Sequence, residues 1–167
     1  MDLRGRLLNL AKELARLPKD SEYSLVIFED GYATPIITQG RFAETVVPIK
    51  DPEHGHAIAI LHTHPLPRIA PSLADLRSLL IMSTYNVPSY LGTVYRKDDK
   101  IIVTLYIAKR KISLGEVEHI LRSAYVYELL HAYRGFREDI SEKQLHEQHL
   151  LLRNIGIVVE RYIINAS

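Results

Sequence analysis

Two histidines stand one residue apart at the end of an apolar run, Leu61-His62-Thr63-His64-Pro65, and Ser72 and Asp75 follow a short loop later. On a strand, side chains repeat every two residues, so His62 and His64 point to one side and Thr63 to the other. Two imidazoles on one face, joined by a carboxylate from the next element, can grip one divalent ion such as zinc. Three protein ligands leave a coordination position for solvent, the open arrangement of a hydrolytic zinc site. Pro65 stops the ladder directly after the pair and exposes the strand end. Asp75 falls in the first turn of a following helix, and the intervening loop can fold that turn back toward the strand. Ser72-x-x-Asp75 is also the capping-box spacing of a helix start. The two roles are compatible, because Ser72 can open the helix while its hydroxyl faces the solvent position of the site.

The other candidates carry less chemistry. His54-Gly55-His56 repeats the His-x-His spacing but lies in the polar stretch Lys50 to His56, and it reads as solvated loop. His146-Glu147-Gln148-His149 misses the His-Glu-x-x-His zinc helix by one residue, since Leu150 stands where the second histidine belongs. With Glu142, Lys143 and Glu147 around it, that stretch reads as a solvated helix face. His119 and His131 are isolated. There is no Gly-rich phosphate loop and no Gly-x-Ser-x-Gly elbow. The ten tyrosines are scattered, and Lys109-Arg110-Lys111 is a short basic cluster at a strand end.

The elements that must position these residues follow from periodicity. Leu3, Leu7, Leu10, Leu14 and Leu17 form one helical stripe that Pro18 ends. Glu22 to Phe28 reads as a strand, with Glu29-Asp30-Gly31 as its turn. ATPIITQG and FAETVVPI read as two further strands. Ala57 to Leu61 is a buried strand leading into His62. Leu73, Leu76, Leu79 and Leu80 set a helix after Ser72. SYLGTVYRKDDKIIVTLYIAK predicts a hairpin turning at Lys97 to Lys100. Capping boxes at Ser113-x-x-Glu116 and Ser141-x-x-Gln144 open two helices. The first carries Val117, Ile120, Leu121, Ala124 and Tyr127. The second carries Leu145, Leu152, Ile155, Val159 and Tyr162, with Gly135 as the break between them. The expectation is a single α/β (α+β) domain over residues 1–167, with 113–167 forming C-terminal helices. The apolar face of the last helix is expected to be buried within the monomer, with a homo-oligomer interface as the alternative.

Composition bounds the rest. The chain of 167 residues, 47% hydrophobic and 25% charged, suits one globular core. A formal net charge of +1 gives no field for nucleic acid. No apolar run reaches a membrane span, and the N-terminal MDLRGRLLNLAKELARLP lacks a signal-peptide core, so a cytoplasmic location is expected. With no cysteine, any metal must sit on His, Asp or Glu, and thiolate sites and cysteine nucleophiles are excluded.

The run HTHPLPRIAPSLAD, His62 to Asp75, resembles the signature of the JAMM (MPN+/JAB) zinc metalloproteases: His-x-His-Pro, a short run, then Ser-x-x-Asp, matched without gaps. The chain looks like a compact prokaryotic or archaeal-type member. The resemblance implies a JAB/MPN-like mixed sheet flanked by helices. It implies one Zn2+ per chain, with His62, His64 and Asp75 as its ligands and Ser72 helping to bind the reacting oxygen. It further implies an upstream glutamate as general base at the start of an early strand. Glu22 fits that place, and Glu29 and Glu44 are the alternatives. Where the family has a small residue and a glycine after the glutamate, this chain has Tyr23, Ser24 and Leu25. The implied activity is hydrolysis of peptide or isopeptide bonds at the C-terminal tail of a ubiquitin-like protein. Such a tail would be held by strand addition near Gln39 to His56. The alternative is a metal-free scaffold or protein-interaction module of the same fold, although such domains lack the ligands present here.

Overall fold

The computed structural model describes residues 2–38, 47–64, 71–113, 115–116, 118–119, 122 and 141–166. Asp2 opens the first helix, α1 (Leu3–Leu14), by accepting a hydrogen bond from the Gly5 N–H. Its buried stripe is Leu7, Ala11 and Leu14, close to the expected spacing. Strands β1 (Ser24–Phe28), β2 (Lys50–Asp51) and β3 (Gly55–Thr63) follow, then α2 (Leu73–Tyr85). The hairpin β4 (Ser89–Lys97) and β5 (Lys100–Ala108) turns at Asp98-Asp99, with Asp98 at φ 54°. Helix α3 (Glu142–Asn154) and strand β6 (Ile157–Asn165) complete the described elements.

The strands make one mixed sheet in the order β1-β3-β4-β5-β6, with β2 also paired to β3. Only β3 and β4 run parallel. A parallel pair needs a crossover, and α2 is that crossover, so the helix carrying Asp75 is obliged to start beside the end of β3. Alternate residues of the sheet feed two cores. Val26, Ile60, Leu91 and Tyr106 pack with Leu76, Leu79 and Met82 of α2 and Leu152 of α3. Leu25, Ala59, Leu61 and Val94 pack with Leu7, Ala11 and Leu14 of α1. The result is a three-layer arrangement of the α+β class expected from the sequence. Among the described residues no helix is long and apolar enough to cross a membrane.

Three expectations change. The helix opened by Ser141 does not run on to Val159 and Tyr162. It ends at Asn154, Gly156 takes φ 91°, and β6 pairs with β5 along its whole length. Glycine just past a helix is the usual stop, and Ile157, Val158 and Val159 are β-branched residues that prefer a pleated surface. The described residues of the C-terminal portion include an edge strand beside the helix, so 113–167 is not helical throughout. The described part of ATPIITQG, residues 33–38, forms no strand; Ala33 and Ile37 make isolated bridges to β1, and Pro35 between them has no N–H to give a ladder. Of FAETVVPI, residues 42–46 lie outside the described residues, and Val47 to Ile49 precede the short β2. The supposed polar loop Lys50 to His56 is a paired turn, with Lys50 opposite His56 and Asp51 opposite Gly55. Half of the capping box expected at Ser113 is present: Glu116 Oε2 accepts from the Ser113 N–H and also from its hydroxyl, while the Glu116 N–H donates to the Ser113 carbonyl. Val117, Ile120, Leu121, Ala124, Tyr127, His131 and Gly135 lie outside the described residues.

One histidine of α3 is better packed than a solvated face would have it. His149 Nε2 lies 3.2 Å from the Tyr106 hydroxyl. Burial, then the nearby Arg153 and Arg161, push His149 down to about 4. Unfolded, the same ring takes up a proton near pH 6.5. Its contribution to stability is therefore complete above about pH 6.5 and lost as pH falls through about 4. The urea midpoint of His149→Gln should depend less on pH between 7 and 4 than that of the wild type, and equal slopes would refute this.

Candidate metal centre

Position along β3 decides which way the histidines face. Ile60 packs against α2, so His62 and His64, two and four residues on, share that side. The register Ser24↔His62 and His62↔Thr93 holds the strand end between β1 and β4, and the His64 N–H donates to the Val94 carbonyl at 2.8 Å. At the start of α2, Ser72 and Asp75 complete the capping box in both directions. Ser72 Oγ accepts from the Asp75 N–H at 3.0 Å, and Asp75 Oδ2 accepts from the Ser72 N–H at 2.7 Å. A carboxylate in a first helical turn is also favoured by the helix dipole. The cap thus aims the Asp75 carboxylate at the sheet.

There it meets both rings. Asp75 Oδ1 is 3.0 Å from His62 Nε2, and Asp75 Oδ2 is 3.7 Å from His64 Nε2. One ligand atom from each of the three lies within 4.8 Å of the others, and all three residues are buried. Ligands at about 2.0–2.1 Å around a tetrahedral ion stand about 3.3 Å apart, so this spacing fits a single divalent ion. His62 Nε2 supports that fit. It is buried and makes no hydrogen bond, although Asp75 Oδ1 is close; the approach is short but not aligned for one. An unsatisfied ring nitrogen facing a carboxylate at this depth is the arrangement an ion between them would complete. Among the described residues this is the only such group.

Electrostatics tie the three together. For His62, burial favours the neutral ring, but Asp75 and Glu22 outweigh it and raise the group to about 10. For Asp75, burial favours the neutral acid, but His62 and His64 hold its carboxyl well below the usual carboxylate range. A divalent cation there would take over the positive role of the His62 proton.

Glu22 is brought in from 40 residues away, with Oε1 at 2.9 Å from His62 Nδ1. It follows the same alternation as Ser24 and Val26 and so shares their face. A carboxylate accepting from the far nitrogen, Nδ1, is the usual support of a metal-binding histidine, and with an ion in place it would leave Nε2 as the donor toward that ion. The sequence placed Glu22 near the site but did not reveal this contact, because only the β1–β3 register creates it. Glu29 is at the other end of β3, where its N–H donates to the His56 carbonyl. Six residues of strand, about 20 Å, separate it from His62. Glu44 lies outside the described residues.

The second His-x-His pair is not solvated loop. His54 bonds Asp30 at 2.7 Å and stacks on Tyr32, and His56 stacks on Tyr85. Neither joins a third ligand among the described residues. Ser72 has a demonstrable structural role as a cap. Ser72→Ala should lower stability by about 0.5–2 kcal/mol in chemical denaturation. If the hydroxyl also serves the reaction, turnover should fall far more than this loss explains; unchanged turnover would leave it a cap alone. Searches of protein-family models and of curated proteins return no match to this chain.

Proposed function

We propose that this chain is a zinc-dependent hydrolase of the JAMM type. It would cleave a peptide or isopeptide bond, with the C-terminal tail of a ubiquitin-like protein as the substrate class implied by the signature. The observation that supports this most is the buried cluster of His62, His64 and Asp75 with its unsatisfied His62 Nε2. When bound, a zinc ion lowers the pKa of water toward about 7 and polarises a carbonyl. The protein supplies the rest. His62 and His64 would each offer one ring nitrogen to the ion, and Asp75 would supply one negative charge. Besides its contact with His62 Nδ1, Glu22 would serve as the general base, taking the proton of the attacking water and passing it to the leaving amine. Ser72 Oγ accepts from the Asp75 N–H, which leaves its own hydrogen to donate to the oxygen that develops charge.

A second reading, a metal-free scaffold, draws on the same geometry. His62 already lies between two carboxylates and can keep a proton in place of an ion. Elemental analysis of the purified and zinc-reconstituted chain separates the two, together with a cleavage assay on ubiquitin-like fusions and isopeptide conjugates, with and without chelator. One equivalent of zinc and chelator-sensitive cleavage are expected. A reconstituted chain that holds no metal would defeat the hydrolase proposal.

A further inference from the structure

On the opposite face of the sheet from Asp75, a small, partly open pocket adjoins the metal cluster at His64. Its floor is apolar: Leu14 and Ala15 at the end of α1 and Val94 of β4 are all buried. One wall is held rigid by the sheet, because the Tyr23 N–H donates to Thr63 Oγ1 at 3.0 Å and the Thr63 N–H to the Tyr23 carbonyl at 2.9 Å. The mouth carries two cations. Lys19 Nζ donates to the Arg96 carbonyl at 2.6 Å, and Arg96 Nη1 reaches the Ala15 carbonyl at 3.4 Å. Both are thus anchored on backbone oxygens, and neither is paired with a carboxylate among the described residues.

We infer that this pocket binds an apolar amino-acid side chain whose own α-carboxylate meets Lys19 and Arg96. An apolar floor below two anchored cations matches a ligand with an apolar body and an anionic end. Resting on the hydrolase reading, the inference narrows the substrate. An apolar residue beside the scissile bond carries a free α-carboxylate of its own only if it is the last residue of its chain. The leaving group would then be a terminal apolar amino acid. Water adds its hydroxyl to the acyl carbon, the C–N bond breaks, and the leaving nitrogen takes the proton. His64 belongs to the cluster and also lines the pocket, so a ligand held there lies beside a metal-binding side chain.

Binding and turnover test this separately. N-acetyl-L-leucine and N-acetyl-L-leucinamide are titrated into the zinc-treated and untreated full chain and followed by NMR. The acid should bind about tenfold or more tightly than the amide, the effect of one charge-assisted contact. Shifts should centre on Leu17, Tyr23, Thr63 and Val94. Lys19→Ala with Arg96→Ala should erase the preference, and Lys19→Ala alone should reduce it. Equal binding of acid and amide, or shifts elsewhere, overturns the pocket. In the second arm, peptides ending in leucine with free or amidated C-termini are offered to the zinc-loaded chain. Faster cleavage of the free acid supports the substrate assignment, and cleavage without discrimination overturns it. Selective binding of the acid with no hydrolysis of any substrate supports the ligand site while removing the hydrolase reading.

Discussion

Glu22→Gln is expected to keep its metal and lose catalysis, with turnover down ~10²–10⁴-fold, the range for removing a general base. Glutamine has the size of glutamate and still offers a carbonyl oxygen to the His62 Nδ1–H, so the 2.9 Å contact can survive. What it cannot do is accept a proton from water. Glu22→Ala removes both functions. It should match the loss of turnover and also weaken zinc binding by ~10–100-fold, the typical cost of losing the group that orients a metal-binding histidine. Turnover is read in the cleavage assay and zinc affinity by competition with a chromophoric chelator. If glutamine and alanine weaken zinc alike, the positioning role is wrong. If glutamine retains near-normal turnover, the base lies elsewhere. Glu29 is set against by its place at the far end of β3, which leaves Glu44 to be tested next.

Asp75→Asn should have an equally large effect through the metal itself. The substitution keeps an oxygen able to accept from the Ser72 N–H, a bond of 2.7 Å in the native chain, so the cap on α2 and the fold should persist. It removes the negative charge that faces His62 and His64 at 3.0 and 3.7 Å. Zinc should fall from one equivalent to near none. The loss of affinity should exceed the ~10–100-fold expected for a supporting residue, with hydrolysis at background. His62→Ala should give the same metal loss. Circular dichroism and a denaturation midpoint check the fold, and elemental analysis checks the ion. A well-folded Asp75→Asn chain that retains a full equivalent of zinc would show that the carboxylate is not a ligand. Asp75→Ala is the weaker probe, because it removes cap and ligand together.

Sequence by itself determined the parts of this protein that local chemistry controls. The period-two face of β3, the capped start of α2 and the hairpin at Asp98-Asp99 are legible because each depends on residues within a few positions of one another. The pairing of His62 and His64 is of this kind. So is the first-turn placement of Asp75, which the capping box imposes whether or not an ion is bound. The stop at Gly156 was equally local, but the apolar spacing of Leu152, Ile155 and Val159 suits a helix as well as it suits the strand that follows. Strand β6 buries Ile157 and Val159 in one core and packs Tyr162 and Ile164 against the other, so its pattern has no clean alternation to read.

What only the tertiary structure decided are the meetings between distant segments. The β1–β3 register sets Glu22 on His62, the parallel β3–β4 pair requires the crossover that brings Asp75 back, and α1 closes the pocket beside His64. Contacts of that range follow from how two cores are filled on opposite faces of one sheet. That packing is a property of the whole chain, and no single stretch of it carries the information.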